Sequence, residues 1–511
     1  MSSWLPIPKE SHFSIANLPF GIVSTSTQSA PRPAVAIGEQ ALDLSVFAQN
    51  DGFSKLSDFP AEKLDVFSQS TLNDFAALGR QVHRVTRAYL QDVFRNDTPY
   101  PEILKNNASL REQALIPLAK VISHVPLSIG DYTDFFAGRN HAQTVGALFR
   151  GPANALQPNY SHLPVAYHGR ASSVVVSGTP LQRPWGQVLP NPQSQDPVFK
   201  PCARLDIELE LGMFVSKGNK LGSSIAVEDA EDYIFGYVLM NDWSARDIQQ
   251  WDPWVVLADA LDPFRGEGLL NETPLQKYLE EKRKDPILHI NLEVSLTTNK
   301  GHTTKITTTS SKNLLWSWPQ MLAHHSISGC NMRTGDLLGS GTISGLEPGT
   351  QGSLLEQTQG GKVSVQLDGG EERKFVQDGD TITITGWSGN VDDGLNRNVE
   401  LVIPSIMSPV TRVTLFKVAS EKDQQHLVEL YKQMPQKAVK DGKPYISSVQ
   451  AGKANPDQRA QGFTVVAIST FASQEDFNYY DTECEAHLEL RTFAKGVNQG
   501  FAMIYFENEV V

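Results

Sequence analysis

Cysteine is nearly missing from this chain. Its 511 residues hold three, Cys202, Cys330 and Cys484, far apart, odd in number and in no CxxC spacing. Neither a disulfide framework nor a structural zinc site is suggested, and a reducing compartment is expected. Basic charge is also short: 44 Lys and Arg against 57 Asp and Glu leave a formal charge of -13. Phosphate backbones and anionic membrane surfaces both need clustered Lys and Arg, so nucleic acid and membrane are not expected partners. No apolar run reaches 18 residues, and "MSSWLPIPKESHFSIANLPFG" has no basic stretch followed by an apolar one; a cytoplasmic address is expected. What is there is ordinary globular composition, 40% hydrophobic and 20% charged, in a chain long enough for about three domains.

The patterning predicts a mainly β chain with α+β parts. Residues 1–120 open with short strand-like pieces, "FGIVST" and "RPAVAIGEQALDLS", whose "GEQ" reads as a hairpin turn, and suggest a small barrel-like domain. A helix is expected over 70–94, with Leu72, Phe75, Leu78, Val82, Val85 and Leu90 as its core stripe and Ser70 as its cap. From 121 to 405, β-branched runs alternate with Gly and Pro turns, as in a large mixed β-roll or sandwich. Within it, "LLNETPLQKYLEEKRKDPI" is expected to be helical up to Pro286. Residues 409–511 read β-α-β-β-α-β, the order of a ferredoxin-like domain.

"LDIELELGMF", residues 205–214, alternates with period two and places Asp206, Glu208 and Glu210 on one face of a strand. Such a row is either bathed in water or neutralised by a cation. Acidic residues recur at "NDWSARDIQQW", where an apolar strand runs into Asp242, Arg246 and Gln249, and at "GDYTDFFAGRNHAQTVGALFRG", which carries Asp134, His141 and Arg150. Carboxylates without Cys or His ligand spacing suit a hard cation such as Mg²⁺ or Ca²⁺.

These segments, together with "NLPFG", "LPVAYHGRASSVVVSGTP", "GCNMRTGDLLGSGTISG" and "GSLLE", resemble the fumarylacetoacetate hydrolase family from about residue 14 to 390. The resemblance implies hydrolysis of the carbon–carbon bond of a β-diketo acid, 4-fumarylacetoacetate, to fumarate and acetoacetate, as at the end of tyrosine and phenylalanine catabolism. It implies Mg²⁺ or Ca²⁺ on Asp134, Glu208, Glu210 and Asp242, and a water-activating His141 oriented by Glu356. Arg246 and Gln249 resemble oxyanion-side donors; Arg150, Tyr167 and Thr342 resemble substrate contacts. Two other readings stand beside it: a non-catalytic homologue acting as an interaction protein, and a hydrolase of another β-diketone.

The chain departs from the family pattern after Trp251. A loop of the type PLGPFxGKxF, with its lysine, is absent, and "QQW" runs directly into "DPWVV". Phe136 stands where the family has a tyrosine, and "GLNRNVELVIP" replaces a glycine-rich segment. The last hundred residues resemble the stress-responsive α/β barrel domains through "VTLFKV", "GFTVVAISTF" and "EAHLEL", which implies pairing of two sheets in a homodimer. His487 is expected to be structural there.

Overall fold

The computed structural model describes residues 2–8, 11–188, 198–247, 256–257, 261–389, 397–403, 410–440, 443–455, 460–471 and 474–507. It is a strand-rich mixed α/β chain in two compact units, one of residues 1–179, 184–377 and 381–404, the other of 180–183, 378–380 and 405–511. Among the described residues no helix is long and apolar enough to cross a membrane.

The first unit begins with five antiparallel strands, Phe20–Ser24, Arg32–Ile37, Gln40–Asp43, Leu115–Pro117 and Ile122–His124, in one sheet whose order runs fourth, third, second, first, fifth. The expected "GEQ" turn is made by Gly38 at φ +58, a conformation that suits glycine. The expected helix over 70–94 is two, Asn73–Ala77 and Arg80–Phe94, parted at Gly79 with φ +87; Ser70 caps neither. Leu72, Phe75 and Leu90 are buried as expected, but Val82 and Val85 are only half-buried. Arg80, His83, Thr86, Arg87, Tyr89, Val93 and Phe94 are the other buried residues of the longer helix. The expected helix before Pro286 is absent: Lys277–Leu279 is a single 3₁₀ turn. Only Leu279 gives that turn a buried apolar residue, too few for an amphipathic stripe.

A six-stranded sheet organises the middle of this unit. Its strands are β1 (Tyr132–Phe135), β2 (Ala166–His168), β3 (Leu209–Val215), β4 (Ile234–Asn241), β5 (Val256–Leu257) and β6 (Leu337–Gly339), in the order β5-β4-β3-β6-β1-β2. Only β6 and β1 run parallel. A second sheet of four strands is built from Asn291–Thr297, Thr303–Ser310, Thr381–Ser388 and Arg397–Ile403. Phe214, Phe235, Val238, Met240 and Leu337 of the six-stranded sheet join Phe20, Phe47, Phe67, Phe75 and Phe94 in one core.

The second unit holds β7 (Val410–Val418), α3 (Glu421–Lys437), β8 (Ile446–Lys453), β9 (Val465–Phe471), α4 (Gln474–Thr482), α5 (Glu485–Val497) and β10 (Asn498–Glu507). Its antiparallel sheet has the order β8-β9-β7-β10. The second helical stretch is divided in two, and Cys484 stands at the N-cap position of the second piece with no side-chain capping bond. His487 is buried, stacks on the Tyr480 ring with centroids 3.9 Å apart, and bonds through Nδ1 to the Tyr480 carbonyl at 2.6 Å.

Candidate metal and catalytic site

The acidic row is not washed by solvent. Asp206, Glu208 and Glu210 are 0%, 7% and 1% exposed, and Ile207, Leu209 and Leu211 on the opposite face are buried too. The strand is interrupted between Asp206 and Leu209 because side chains take over the backbone donors. The Ile207 amide donates to Asp206 Oδ1 at 2.8 Å and the Glu208 amide to Asn241 Oδ1 at 3.0 Å.

Three sheet positions bring carboxylates together. Asp134 lies on β1, Glu210 on β3, and Asp242 follows the end of β4. One carboxylate oxygen from each lies within 4.8 Å of the others. All three are buried, and Glu210 Oε2 has no hydrogen-bond donor. Burial, then the Glu208 charge, pushes the Asp134 carboxyl up to about 7. Burial, then Asp134 and Asp242, pushes Glu210 well above the ordinary carboxylate range. Neighbouring β6 makes room: a Cβ on Gly339 would sit 2.4 Å from Asp134 Oδ1. An oxygen-only donor set crowded enough to retain protons fits a hard divalent cation.

Glu208 is turned elsewhere. It accepts from Arg246 Nη1 at 2.8 Å and Ser244 Oγ at 2.7 Å, and its Oε1 lies 3.5 Å from His141 Nε2. Burial raises its carboxyl, but Arg246 and His141 outweigh that, and the net shift is downward. His141 sits in the first turn of α1 (Arg139–Arg150), fully covered, with its Nδ1 2.7 Å from Glu356 Oε2. Glu356 belongs to α2 (Leu354–Gln357), and the same oxygen accepts from Ser344 and Ser353, each at 2.8 Å. Burial lowers the His141 pKa, but the Glu356 charge and hydrogen bond raise it more.

The remaining candidates are spread around this centre. Tyr167, on β2, donates its hydroxyl to Asp242 Oδ2 at 3.0 Å. Arg246 is held by Asp206 and Glu208. Arg150, exposed at the end of α1, donates to the carbonyls of Asn154 and Ala155. Thr342 is 2% exposed, and its carbonyl lies where a Cβ on Gly138 would be 2.1 Å away. The Phe136 ring meets the His141 ring edge-on at 5.5 Å. Gln249 and the junction after Trp251 lie outside the described residues. Sequence reasoning passed over Ser244, Ser344 and Ser353. The spacing of Ser353 to Glu356, a helix-capping pattern, was the available signal.

Comparison with known proteins identifies the family. The family model for "Fumarylacetoacetase N-terminal" matches residues 16–126, "Fumarylacetoacetate (FAA) hydrolase C-terminal" matches 132–396, and "Stress responsive A/B Barrel Domain" matches 410–507. Fumarylacetoacetase fahA of Aspergillus fumigatus is 57% identical over 429 residues, which cover 80% of this chain and 99% of that protein. Human fumarylacetoacetase is 44% identical over 404 residues, covering 75% of this chain and 94% of its own length. With more than half of its residues matched by these models, the chain belongs to the fumarylacetoacetate hydrolase family.

Proposed function

We propose that this chain hydrolyses the carbon–carbon bond of 4-fumarylacetoacetate, giving fumarate and acetoacetate, with a divalent cation at Asp134, Glu210 and Asp242. The observation that carries the reading is a buried His141–Glu356 pair beside a buried carboxylate trio, in a chain 57% identical to a fumarylacetoacetase. The oxygen donors favour Mg²⁺ or Ca²⁺, and Glu208 completes the set proposed from the family pattern. When bound, the cation polarises the diketone oxygens and holds the charge of the leaving enolate.

With Nδ1–H donated to Glu356, His141 presents the lone pair of Nε2 as a base. It takes a proton from water, whose oxygen adds to the ketone carbon on the fumaroyl side. Glu356 stabilises the imidazolium so formed. The bond from that carbon to the central methylene then breaks, its electron pair leaves on the acetoacetate part, and the His141 proton is returned to the methylene carbon. The fumaroyl part departs as its carboxylic acid. Arg246 and Gln249 are proposed on the oxyanion side; Arg150, Tyr167 and Thr342 are proposed as substrate contacts, and Arg150 suits a carboxylate.

The second unit is proposed to pair with a second copy. Val413, Leu415, Val466, Ile468 and the 63%-exposed Ile504 share one face of its sheet, and light scattering of the full chain would read a dimer. Turnover is tested by the loss of the conjugated diketone's ultraviolet absorbance. Metal-dependent loss supports the reading. A chain with bound metal and no turnover would end it in favour of the non-catalytic homologue.

A further inference from the structure

Asp206 belongs to the acidic row, yet no step above uses it. It is 0% exposed, accepts four hydrogen bonds and makes one further ion-pair contact. The amides of Ile207 and Leu354 donate to Oδ1, each at 2.8 Å, and the Leu355 amide to Oδ2 at 2.9 Å. Arg246 approaches Oδ2 with Nε at 2.8 Å and Nη2 at 2.7 Å. A carboxylate taken wholly out of water is tolerated only when its lone pairs are filled in this way.

What these donors are attached to gives the arrangement its meaning. Leu354 and Leu355 open α2, the turn that carries Glu356 behind His141 Nδ1. Arg246 holds Glu208, which lies 3.5 Å from His141 Nε2. An ion pair with Arg246 alone would need no contact with α2, and a tie to α2 alone would need no Arg246. One side chain makes both, so both flanks of the histidine are referenced to a single point.

We propose that Asp206 is a positioning residue: it fixes Glu356 and Arg246 against His141 without touching the reacting atoms. The inference rests on the reading of His141 as the base. Asp206→Asn keeps the shape, but its amide nitrogen cannot accept from either Arg246 or Leu355. With fumarylacetoacetate, kcat falls about 10–100-fold while KM stays within about twofold, the scale typical of supporting groups around an active centre. Mn²⁺ affinity falls much less than kcat, because the carboxylate trio does not include Asp206 and Glu208 keeps its own bonds to Arg246 and Ser244. In metal-free protein labelled at histidine with ¹⁵N, the His141 Nδ1–H resonance moves or is lost to exchange. That signal needs no turnover. If the wild-type chain is inactive, the functional reading falls, and the resonance still decides the positional one.

Leu354→Pro is the second arm. It removes one amide donor at a helix start, where proline is tolerated, and leaves the Asp206–Arg246 pair alone. It too should lower kcat and disturb the His141 signal. The proposal is overturned if D206N keeps kcat within about threefold of wild type, if it loses Mn²⁺ affinity in step with kcat, or if the His141 resonance is unmoved in both variants.

Discussion

Glu210→Gln should make the metal-free protein more stable, although it removes a buried ionisable side chain. The Glu210 carboxyl titrates well above its ordinary value of 4.5 because burial, then Asp134 and Asp242, disfavour its ionised form. Above pH 4.5 the folded chain therefore binds a proton there more readily than the unfolded chain does, and that preference opposes folding. The scale follows from the spacing: two ionised carboxylates 4.8 Å apart repel by about 3 kcal/mol at an effective dielectric of about 20. Glutamine removes the titration. In urea with a chelator present, the variant should gain about 3 kcal/mol over wild type at pH 7 and nothing at pH 4, below the ordinary value, where both states of the wild type are protonated. Mg²⁺ should then stabilise the wild type and leave the variant unmoved. A variant less stable than wild type at pH 7 without metal would refute the reasoning, because it would mean that the Glu210 charge is already balanced inside the protein.

The Asp134 carboxyl is pushed up to about 7 and, like the raised Glu210 carboxyl, must lose its proton to ligate, so Mg²⁺ affinity should weaken at least about tenfold per pH unit below that value, and calorimetry showing a flat profile from pH 5 to 7 would contradict it. Gly339→Ala pushes a methyl to 2.4 Å from Asp134 Oδ1 and should weaken Mn²⁺ binding by at least about tenfold, read by electron paramagnetic resonance. Glu356→Gln leaves the shape of the α2 turn but removes the charge beside His141; kcat should fall about 10²–10⁴-fold with metal affinity intact. Inserting a segment of the type PLGPFxGKxF after Trp251 restores the family's lysine, which the family resemblance reads as an oxyanion donor, and turnover should rise by about 10²–10³-fold, the usual worth of one such donor.

Much of the site was legible because its chemistry is written in residue type and period. Alternation put Asp206, Glu208 and Glu210 on one side of a strand, and burial then removed the solvated alternative. The gathering of Asp134 and Asp242 around Glu210 was read only through family likeness. It depends on β1, β3 and β4 sharing one sheet through the crossover order β4-β3-β6-β1, which no local pattern encodes. The turn of Glu208 toward Arg246 and Ser244 was illegible for a related reason: the strand breaks where side chains replace ladder hydrogen bonds. The helix over 70–94 was over-extended because Gly79 sits inside a continuous apolar stripe, and its positive φ outweighs that stripe. The stretch before Pro286 has helix-forming residues but too little apolar surface to hold a helix against the core.

The account rests on Asp134, Glu210 and Asp242 being a cation site. Crystals of the full chain grown with Mn²⁺ and measured at the manganese edge would test it most directly. One anomalous peak bounded by oxygens of these three side chains is the predicted result. A protein that binds Mn²⁺ elsewhere, with the trio closed around shared protons, would contradict it.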